Sequence, residues 1–226
     1  MRHTKKIASG LALVACLALL PGCDEATDGN ALQKVNGSVH VLAGTAPSDA
    51  ETVNGSIDID ANATVGGVMT VNGGIRVGSG ATATNLHTVN GSIVVGTATH
   101  IAKNIESVNG SISLADDVVV GGTVTNVNGK VSLKSAQLGG GITTVNGDIL
   151  IYGASHVAGG IHVEKPSGGI RLISSLPRVE IGPGATVEGE LKFDREVRLY
   201  VSDRATVGPV TGATAIPFTG DAAPRD

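Results

Sequence analysis

The triplet Val-Asn-Gly recurs along the chain at an almost constant interval. Successive copies are 18 or 19 residues apart and begin at Val35, Val53, Val71, Val89, Val108, Val127 and Val145. Self-similarity with such a short period is typical of repeat proteins, in which each unit packs on its neighbours and cannot bury its apolar side chains alone. The chain is therefore predicted to fold as a stack of similar units.

Within one unit the aliphatic residues follow the spacing of short β-strands. Ile57 and Ile59 form a period-two pair that is bounded by glycine and small polar residues. No window shows a sustained helical pattern with caps, and glycine accounts for 33 of the 226 residues. Three short strands in about 18 residues make one coil of a parallel β-helix. We predict an all-β, single-stranded parallel β-helix (solenoid) of roughly nine to ten coils.

Equivalent positions of successive coils are expected to lie above one another. The Val of the triplet is predicted to form an internal aliphatic stack, and the Gly to supply positive φ at a corner. The Asn is predicted to form a ladder, because an amide can donate to one neighbour and accept from the other. The ladder would comprise Asn36, Asn54, Asn72, Asn90, Asn109, Asn128 and Asn146.

The amino terminus has the features of a targeting segment. Basic residues precede an apolar run over residues 11–20, which is too short to span a bilayer. The sequence Leu-Pro-Gly-Cys at residues 20–23 resembles the lipobox of bacterial lipoproteins, in which a signal peptidase cleaves before the Cys and the Cys carries the lipid. The resemblance implies that residues 1–22 are a lipoprotein signal peptide and that Cys23 is lipidated. The alternative is an ordinary secretory signal in which Cys23 is incidental.

Cleavage before Cys23 changes the properties of the mature protein. One cysteine remains, so no intramolecular disulfide is possible. Three basic residues are lost, which leaves 13 basic and 20 acidic residues and a formal charge of −7, and nucleic acid is not an expected partner. Asp24 resembles the inner-membrane retention signal of enteric bacteria. We expect a membrane-anchored protein of the bacterial cell envelope that faces the periplasm or the cell surface.

The remaining sequence divides by the regularity of its pattern. Residues 23–32 form the lipidated cysteine and a short linker, and the β-helix is predicted over 33–210. Its coils are regular over 33–162. They become irregular and more charged over 163–210, beginning with an insertion after Val163. Residues 211–226 are predicted to be a tail, since Pro217 and Pro224 disfavour regular structure.

The charged carboxyl-terminal coils have two interpretations. One is a polar cap that protects the open strand edge at the end of a solenoid. The other is an interaction surface made of Lys165, Arg171, Arg178, Arg195, Arg198, Tyr200 and Arg204.

No pattern in the sequence predicts a catalytic, cofactor or metal site. The histidines after the signal segment occupy different places in the repeat, so they are expected to be scattered over the surface rather than to bind a metal. An enzymatic site, if the protein has one, is best sought at His156, His162 and Glu164, which lie beside the insertion.

Three families resemble parts of the sequence. The Val-Asn-Gly-Ser-Ile coils, over roughly residues 33–165, resemble an adhesin-like bacterial β-solenoid family of unknown function, which implies a right-handed helix. Half-coils of the form Ala-x-Val-x-Gly-x-aliphatic, as at residues 185–191, are similar to bactofilins, which are β-helical scaffold proteins that polymerise. Small aliphatic residues near every sixth position resemble the left-handed hexapeptide helix of acyltransferases.

These resemblances imply a non-enzymatic cell-envelope lipoprotein. Its β-solenoid would act as a structural or adhesin-like binding module with a protein or polysaccharide partner. One alternative is a bactofilin-like scaffold that assembles itself through its coil ends. A polysaccharide-active enzyme and a hexapeptide-type acyltransferase are alternatives from another class.

Overall fold

The computed structural model of the protein describes residues 31–46, 48–166 and 176–224. The signal peptide, Cys23, most of the linker and Arg171 lie outside these ranges. The described part contains strands and turns and no helix. Its 26 strands are β1 Leu32–Asn36, β2 Val39–Val41, β3 Asp49–Asn54, β4 Ile57–Ile59, β5 Thr64–Asn72, β6 Ile75–Val77, β7 Thr82–Asn90, β8 Ile93–Val95, β9 His100–Ile101, β10 Ile105–Asn109, β11 Ile112–Leu114, β12 Val119–Val120, β13 Val124–Asn128, β14 Val131–Lys134, β15 Gln137–Leu138, β16 Ile142–Thr144, β17 Ile149–Tyr152, β18 His156–Val157, β19 Ile161–Val163, β20 Arg178–Ile181, β21 Thr186–Val187, β22 Leu191–Phe193, β23 Arg198–Ser202, β24 Thr206–Val207, β25 Val210–Thr211 and β26 Ala215–Phe218.

The strands form two parallel sheets that wind along the same axis. Sheet 1 has ten strands, one from each coil, in the order β2, β4, β6, β8, β11, β14, β17, β20, β23 and β26. Sheet 2 has sixteen strands and begins with β1, β3, β5 and β7. Equivalent residues of neighbouring regular coils pair directly, as Ile57 does with Ile75 and Asn54 with Asn72. The predicted parallel β-solenoid, with about ten coils of ~18 residues, is confirmed.

Sheet 2 divides after β7. One row continues through β9, β12, β15, β18, β21 and β24, and the other through β10, β13, β16, β19, β22 and β25. From β9 to β25 the coils therefore have the three short strands that the sequence predicts. In the earlier coils, β5 and β7 are nine residues long and cover two sides of the coil without a break.

The interior is a set of stacked aliphatic rows. Ile57, Ile59, Val65 and Val68 are each at most 4% exposed, as their spacing predicts. Burial of one such aliphatic residue contributes about 1.5 to 3 kcal/mol relative to leaving it in water. Because almost every coil supplies the same rows, the core is continuous from β2 to β23.

The valines of the triplet do not belong to this core, and the prediction of an internal valine stack is wrong. Val35 is 40% exposed, and the other six valines of the row are only partly buried. Side chains of a strand alternate between its two faces, so the residue before each valine points inward instead. In the six coils after the first, that position is held by Thr52, Thr70, Thr88, Ser107, Asn126 and Thr144, all of which are buried.

The glycines of the triplet are required mainly by close backbone approach rather than by positive φ. Among the seven, Gly37 and Gly129 have positive φ, at 108° and 122°. At Gly73 the φ is ordinary, but a Cβ atom would lie 1.9 Å from the carbonyl oxygen of Gly55. A side chain here would push successive coils apart, so the glycine row sets how closely the corner can stack.

The solenoid extends further than predicted at its carboxyl end. Residues 211–226 were expected to form a tail, yet β26 pairs in parallel with β23 as part of sheet 1. Pro217 is compatible with this strand because of its position. The carbonyl of Phe218 accepts the N–H of Asp203, so the polar groups of Phe218 point toward β23. Those of Pro217 point away, where a missing N–H removes no bond within the sheet.

Candidate functional site

The corner between sheet 2 and sheet 1 carries an asparagine ladder. The side-chain amide nitrogen of each asparagine donates to the side-chain oxygen of the one in the preceding coil, over 2.9 to 3.0 Å. Six such bonds join the seven residues Asn36, Asn54, Asn72, Asn90, Asn109, Asn128 and Asn146. All seven residues are exposed, so the ladder runs along the outside of the corner.

The ladder ends on an arginine from a later coil. The oxygen at the end of the row, Asn146 Oδ1, accepts Nη1 of Arg195. The same nitrogen lies 3.0 Å from the carbonyl oxygen of Val145. In the next coil the position equivalent to Asn146 is held by Lys165, so the row has no further amide donor there. The guanidinium of Arg195 supplies the donor instead. Sequence reasoning placed Arg195 on an interaction surface and missed this role.

A second row of hydrogen bonds lies just inside the ladder. The hydroxyls of Thr52, Thr70 and Thr88 donate to the carbonyl oxygens of Gly37, Gly55 and Gly73 in the preceding coils, over 2.8 to 2.9 Å. These bonds satisfy the buried threonines and connect each strand to the turn of the coil before it. The row was not predicted, because a Thr before Val-Asn-Gly is also an ordinary strand residue.

The valines and asparagines together form an uncharged stripe on the outer surface, which we call the valine–asparagine stripe. Its residues are the seven Val-Asn pairs that begin at Val35, Val53, Val71, Val89, Val108, Val127 and Val145. A row of valine methyl groups runs beside the row of amides, and the stripe carries no ionisable side chain. The stripe can therefore offer apolar contact and neutral hydrogen bonding but no acid–base chemistry.

Four histidines each pair with a carboxylate on the outer surface. His40 Nε2 lies 2.7 Å from Asp60 Oδ1, and His156 Nε2 lies 2.9 Å from Glu188 Oε1. The hydrogen bond from His40 lowers the pKa of Asp60 below its usual range. His87 and His162 do the same to the pKa of Glu106 and of Asp194, respectively. Pairs of this kind stabilise the ionised carboxylates and are common on surfaces without any catalytic role.

The three residues named as enzymatic candidates do not form one cluster. His156 lies on β18 and His162 on β19, which belong to different rows of sheet 2, and each has its own carboxylate partner in the next coil. Glu164 approaches His162 at 3.7 Å, whereas Asp194 is closer at 2.7 Å. Within the described ranges, no group of three or more His, Cys, Asp or Glu residues is placed to hold a metal ion.

The charged carboxyl-terminal coils use much of their charge for internal contacts. Arg178 donates to Glu180 and to the carbonyl of Pro224, and its guanidinium lies 4.3 Å from the centre of the Tyr200 ring. Arg204 contacts Gly220 and Asp221. These bonds hold the carboxyl-terminal segment, residues 218–224, against the outer face of sheet 1.

The predicted interaction surface is therefore divided. Arg178, Tyr200 and Arg204 hold the carboxyl-terminal segment, and Tyr200 is only 5% exposed. Arg195 ends the asparagine ladder. Lys165 and Arg198 are exposed. The first four residues are used in contacts within the protein, which argues against an open binding surface made of the whole set.

An open depression lies on the outer face of sheet 1. Its lining includes Leu114, Ser132, Lys134, Leu150 and Tyr152, from three successive coils. Leu114 belongs to the core, whereas Ser132, Lys134, Leu150 and Tyr152 alternate with the core residues of their strands. The sequence gives no sign that they form a depression.

No helix in the described ranges is long and apolar enough to cross a membrane.

Comparison with known proteins does not assign this sequence to a family. No protein-family model matches the sequence, and neither a curated protein nor a solved structure matches it at the level taken as significant.

Proposed function

We propose that the protein is a non-enzymatic lipoprotein of the bacterial cell envelope, in which a rigid β-solenoid acts as a structural or adhesin-like binding module. The observation that carries the proposal is the way the coils use their polar groups. Ladder amides, threonine hydroxyls and most of the charged carboxyl-terminal residues contact neighbouring coils or the carboxyl-terminal segment.

The geometry fits a spacer or a display surface. Ten coils stacked about 4.8 Å apart give a rod of about 45 Å. A protein of this form can hold a partner away from a membrane or present one repeated surface along its length. The anchor itself rests on the resemblance of residues 20–23 to a lipobox.

The test combines lipid labelling with protease shaving. Cells expressing the wild type or Cys23→Ala are labelled with a fatty-acid precursor, fractionated, and treated with protease while intact. We expect label on the wild type, no label on Cys23→Ala, and release of the variant from the membrane fraction. Protease sensitivity in intact cells would support an adhesin-like role, and protection would support a periplasmic spacer. An unlabelled wild-type protein would contradict the lipoprotein assignment.

Self-assembly through the coil ends is a second candidate, which the geometry disfavours at one end. At the last strand, Pro217 removes an N–H that would otherwise point off the open edge of sheet 1. Sedimentation over a range of concentrations tests this candidate. A wild-type protein that stays monomeric at every concentration would exclude self-assembly. A sedimentation coefficient that increases with concentration would favour it. Association of Pro217→Val alone would show that the proline protects this edge.

A further inference from the structure

Seven Asn-Gly pairs in one protein are a chemical liability, and the fold protects six of them in the same general way. An asparagine before glycine can lose its side-chain amide spontaneously. The backbone nitrogen of the glycine attacks Cγ of the asparagine and forms a new bond to it, and ammonia leaves as the bond between Cγ and Nδ2 breaks. Water then opens the five-membered imide to aspartate or isoaspartate. Glycine favours the reaction because it has no side chain to hinder the attack.

In most of the coils the N–H of the glycine, whose nitrogen would attack, is engaged in a hydrogen bond. The N–H groups of the first five glycines of the row donate to the carbonyl oxygens of the asparagines in the following coils, over 2.8 to 3.1 Å. These donors are Gly37, Gly55, Gly73, Gly91 and Gly110. The N–H of Gly147 donates to Thr144 Oγ1 over 3.0 Å. A nitrogen in such a bond must give it up before it can attack.

Gly129 is the exception. Among the hydrogen bonds of the described residues, none has the N–H of Gly129 as its donor, and its φ is 122°. The preceding residue, Asn128, is exposed, so water reaches its side chain. This pair therefore combines a free nucleophile with an accessible amide.

This coil differs from the others at Asn126, two residues before Asn128. Where Thr52, Thr70 and Thr88 stand in other coils, this coil has an asparagine. Its Nδ2 donates to the carbonyl of Gly110, like a threonine would, and also to the carbonyl of Gly129 over 2.9 Å. The hydroxyl of Thr144, one coil later, then accepts from Gly147 instead of bonding Gly129. Asn126 Oδ1 is left buried without a hydrogen-bond partner.

We propose that Asn128–Gly129 is the modification site at which this protein deamidates first in its folded state, because Asn126 reorganises the turn and frees the N–H of Gly129. The product has a specific effect on the ladder. A carboxylate accepts but cannot donate, so the bond from residue 128 to Asn109 Oδ1 is lost, while the bond from Asn146 remains. The valine–asparagine stripe also gains a negative charge, at the sixth of its seven asparagines.

One tryptic peptide provides the measurement and its internal control. Cleavage after Lys103 and Lys130 yields residues 104–130, which contain both Asn109–Gly110 and Asn128–Gly129. The purified protein is aged in mildly alkaline buffer, and fragmentation of this peptide gives the conversion at each asparagine. The net worth of one hydrogen bond corresponds to about a 2- to 12-fold change in rate, so Asn128 should convert faster than Asn109 by about that factor. In the denatured protein the two rates should be similar.

A variant tests the cause. Asn126→Thr restores the residue found in the other coils and should bring the Asn128 rate down to that of Asn109. Circular dichroism and thermal unfolding confirm that the variant is folded. The proposal is overturned if Asn128 does not exceed Asn109 in the folded protein, including the case in which neither converts while the denatured control does. An Asn128 rate that is unchanged in Asn126→Thr would overturn the role of Asn126.

Discussion

Arg195 Nη1 donates to Asn146 Oδ1 across 49 residues of sequence. This contact joins the regular coils to the irregular ones, since the insertion lies between the two residues. It also supplies a charged donor to Asn146 Oδ1, the last oxygen of the ladder, which has no amide donor from a following coil. A charge-assisted bond at this point stabilises the transition from one part of the solenoid to the other.

Replacing Arg195 by methionine should therefore destabilise the protein. The change removes the bonds to Asn146 Oδ1 and to the carbonyl of Val145, at a cost of about 1.5 to 3 kcal/mol. Urea unfolding measures the difference. Arg76→Met is the matched control, because Arg76 is a 73% exposed ion-pair partner of Asp58 and should cost less than about 1 kcal/mol. Equal effects of the two substitutions would contradict a special role for Arg195.

The asparagine ladder should be more sensitive in its middle than at its start. Asn90 makes two ladder bonds, to Asn72 and from Asn109, whereas Asn36 makes one. With about 0.5 to 1.5 kcal/mol per bond, Asn90→Ala should lower the free energy of unfolding about twice as much as Asn36→Ala. Chemical denaturation of both variants checks this. A larger loss for Asn36→Ala would show that the ladder bonds do not set stability.

Asn126→Thr should stabilise the protein. The buried Asn126 Oδ1 has no hydrogen-bond partner, which costs about 1 to 3 kcal/mol. Threonine removes that oxygen and has a hydroxyl that can reach the carbonyl of Gly110, as Thr88 reaches Gly73. We expect a higher midpoint of thermal unfolding. Thr88→Asn is the reciprocal variant and should lower it.

Two glutamates in one outward row should respond oppositely to pH. Burial, and secondly the carboxylate of Asp49, raises the pKa of Glu51, while a hydrogen bond from His87 lowers the pKa of Glu106. The ordinary pKa of a glutamate is 4.5, and ionisation of Glu51 lowers the stability of the folded protein as the pH rises above that value. Ionised Glu106 contributes stability that is lost as pH falls through its lowered pKa.

Glu51→Gln should consequently stabilise the protein at pH 7, and Glu106→Gln should destabilise it. Each change should be below about 1 kcal/mol, because solvent screens partly exposed groups. For Glu51→Gln the difference from wild type should disappear as pH falls below 4.5. Unfolding curves at several pH values provide the test. The same sign for both variants at neutral pH would contradict the assignment.

Removing residues 219–226 should weaken the last coils selectively. The deletion exposes the Tyr200 and Phe218 rings and leaves the buried Glu180 without the N–H of Ala223. We expect faster proteolysis within the coils after β19, with the regular coils resistant. Hydrogen exchange of the strands locates the change. Uniform loss of protection along the solenoid would show that the coils do not unfold in separate units.

The repeat in the sequence was sufficient to determine the architecture. A period of 18 residues, paired aliphatic residues such as Ile57 and Ile59, and abundant glycine exclude most other folds, because only a stacked coil places identical residues above one another. The asparagines could be placed in a common row for the same reason, and the bonds between them follow from amide chemistry.

Only the tertiary structure decided which side each residue faces and which distant groups meet. Thr52 points inward and Val53 outward because of strand register, which composition alone does not reveal when both residues suit a strand. The contact of Arg195 with Asn146 and the cover formed by residues 218–224 depend on how the backbone returns after an insertion. A local sequence pattern carries no information about these contacts. The partners of such residues are set by the stacking of whole coils and not by their neighbours in the sequence.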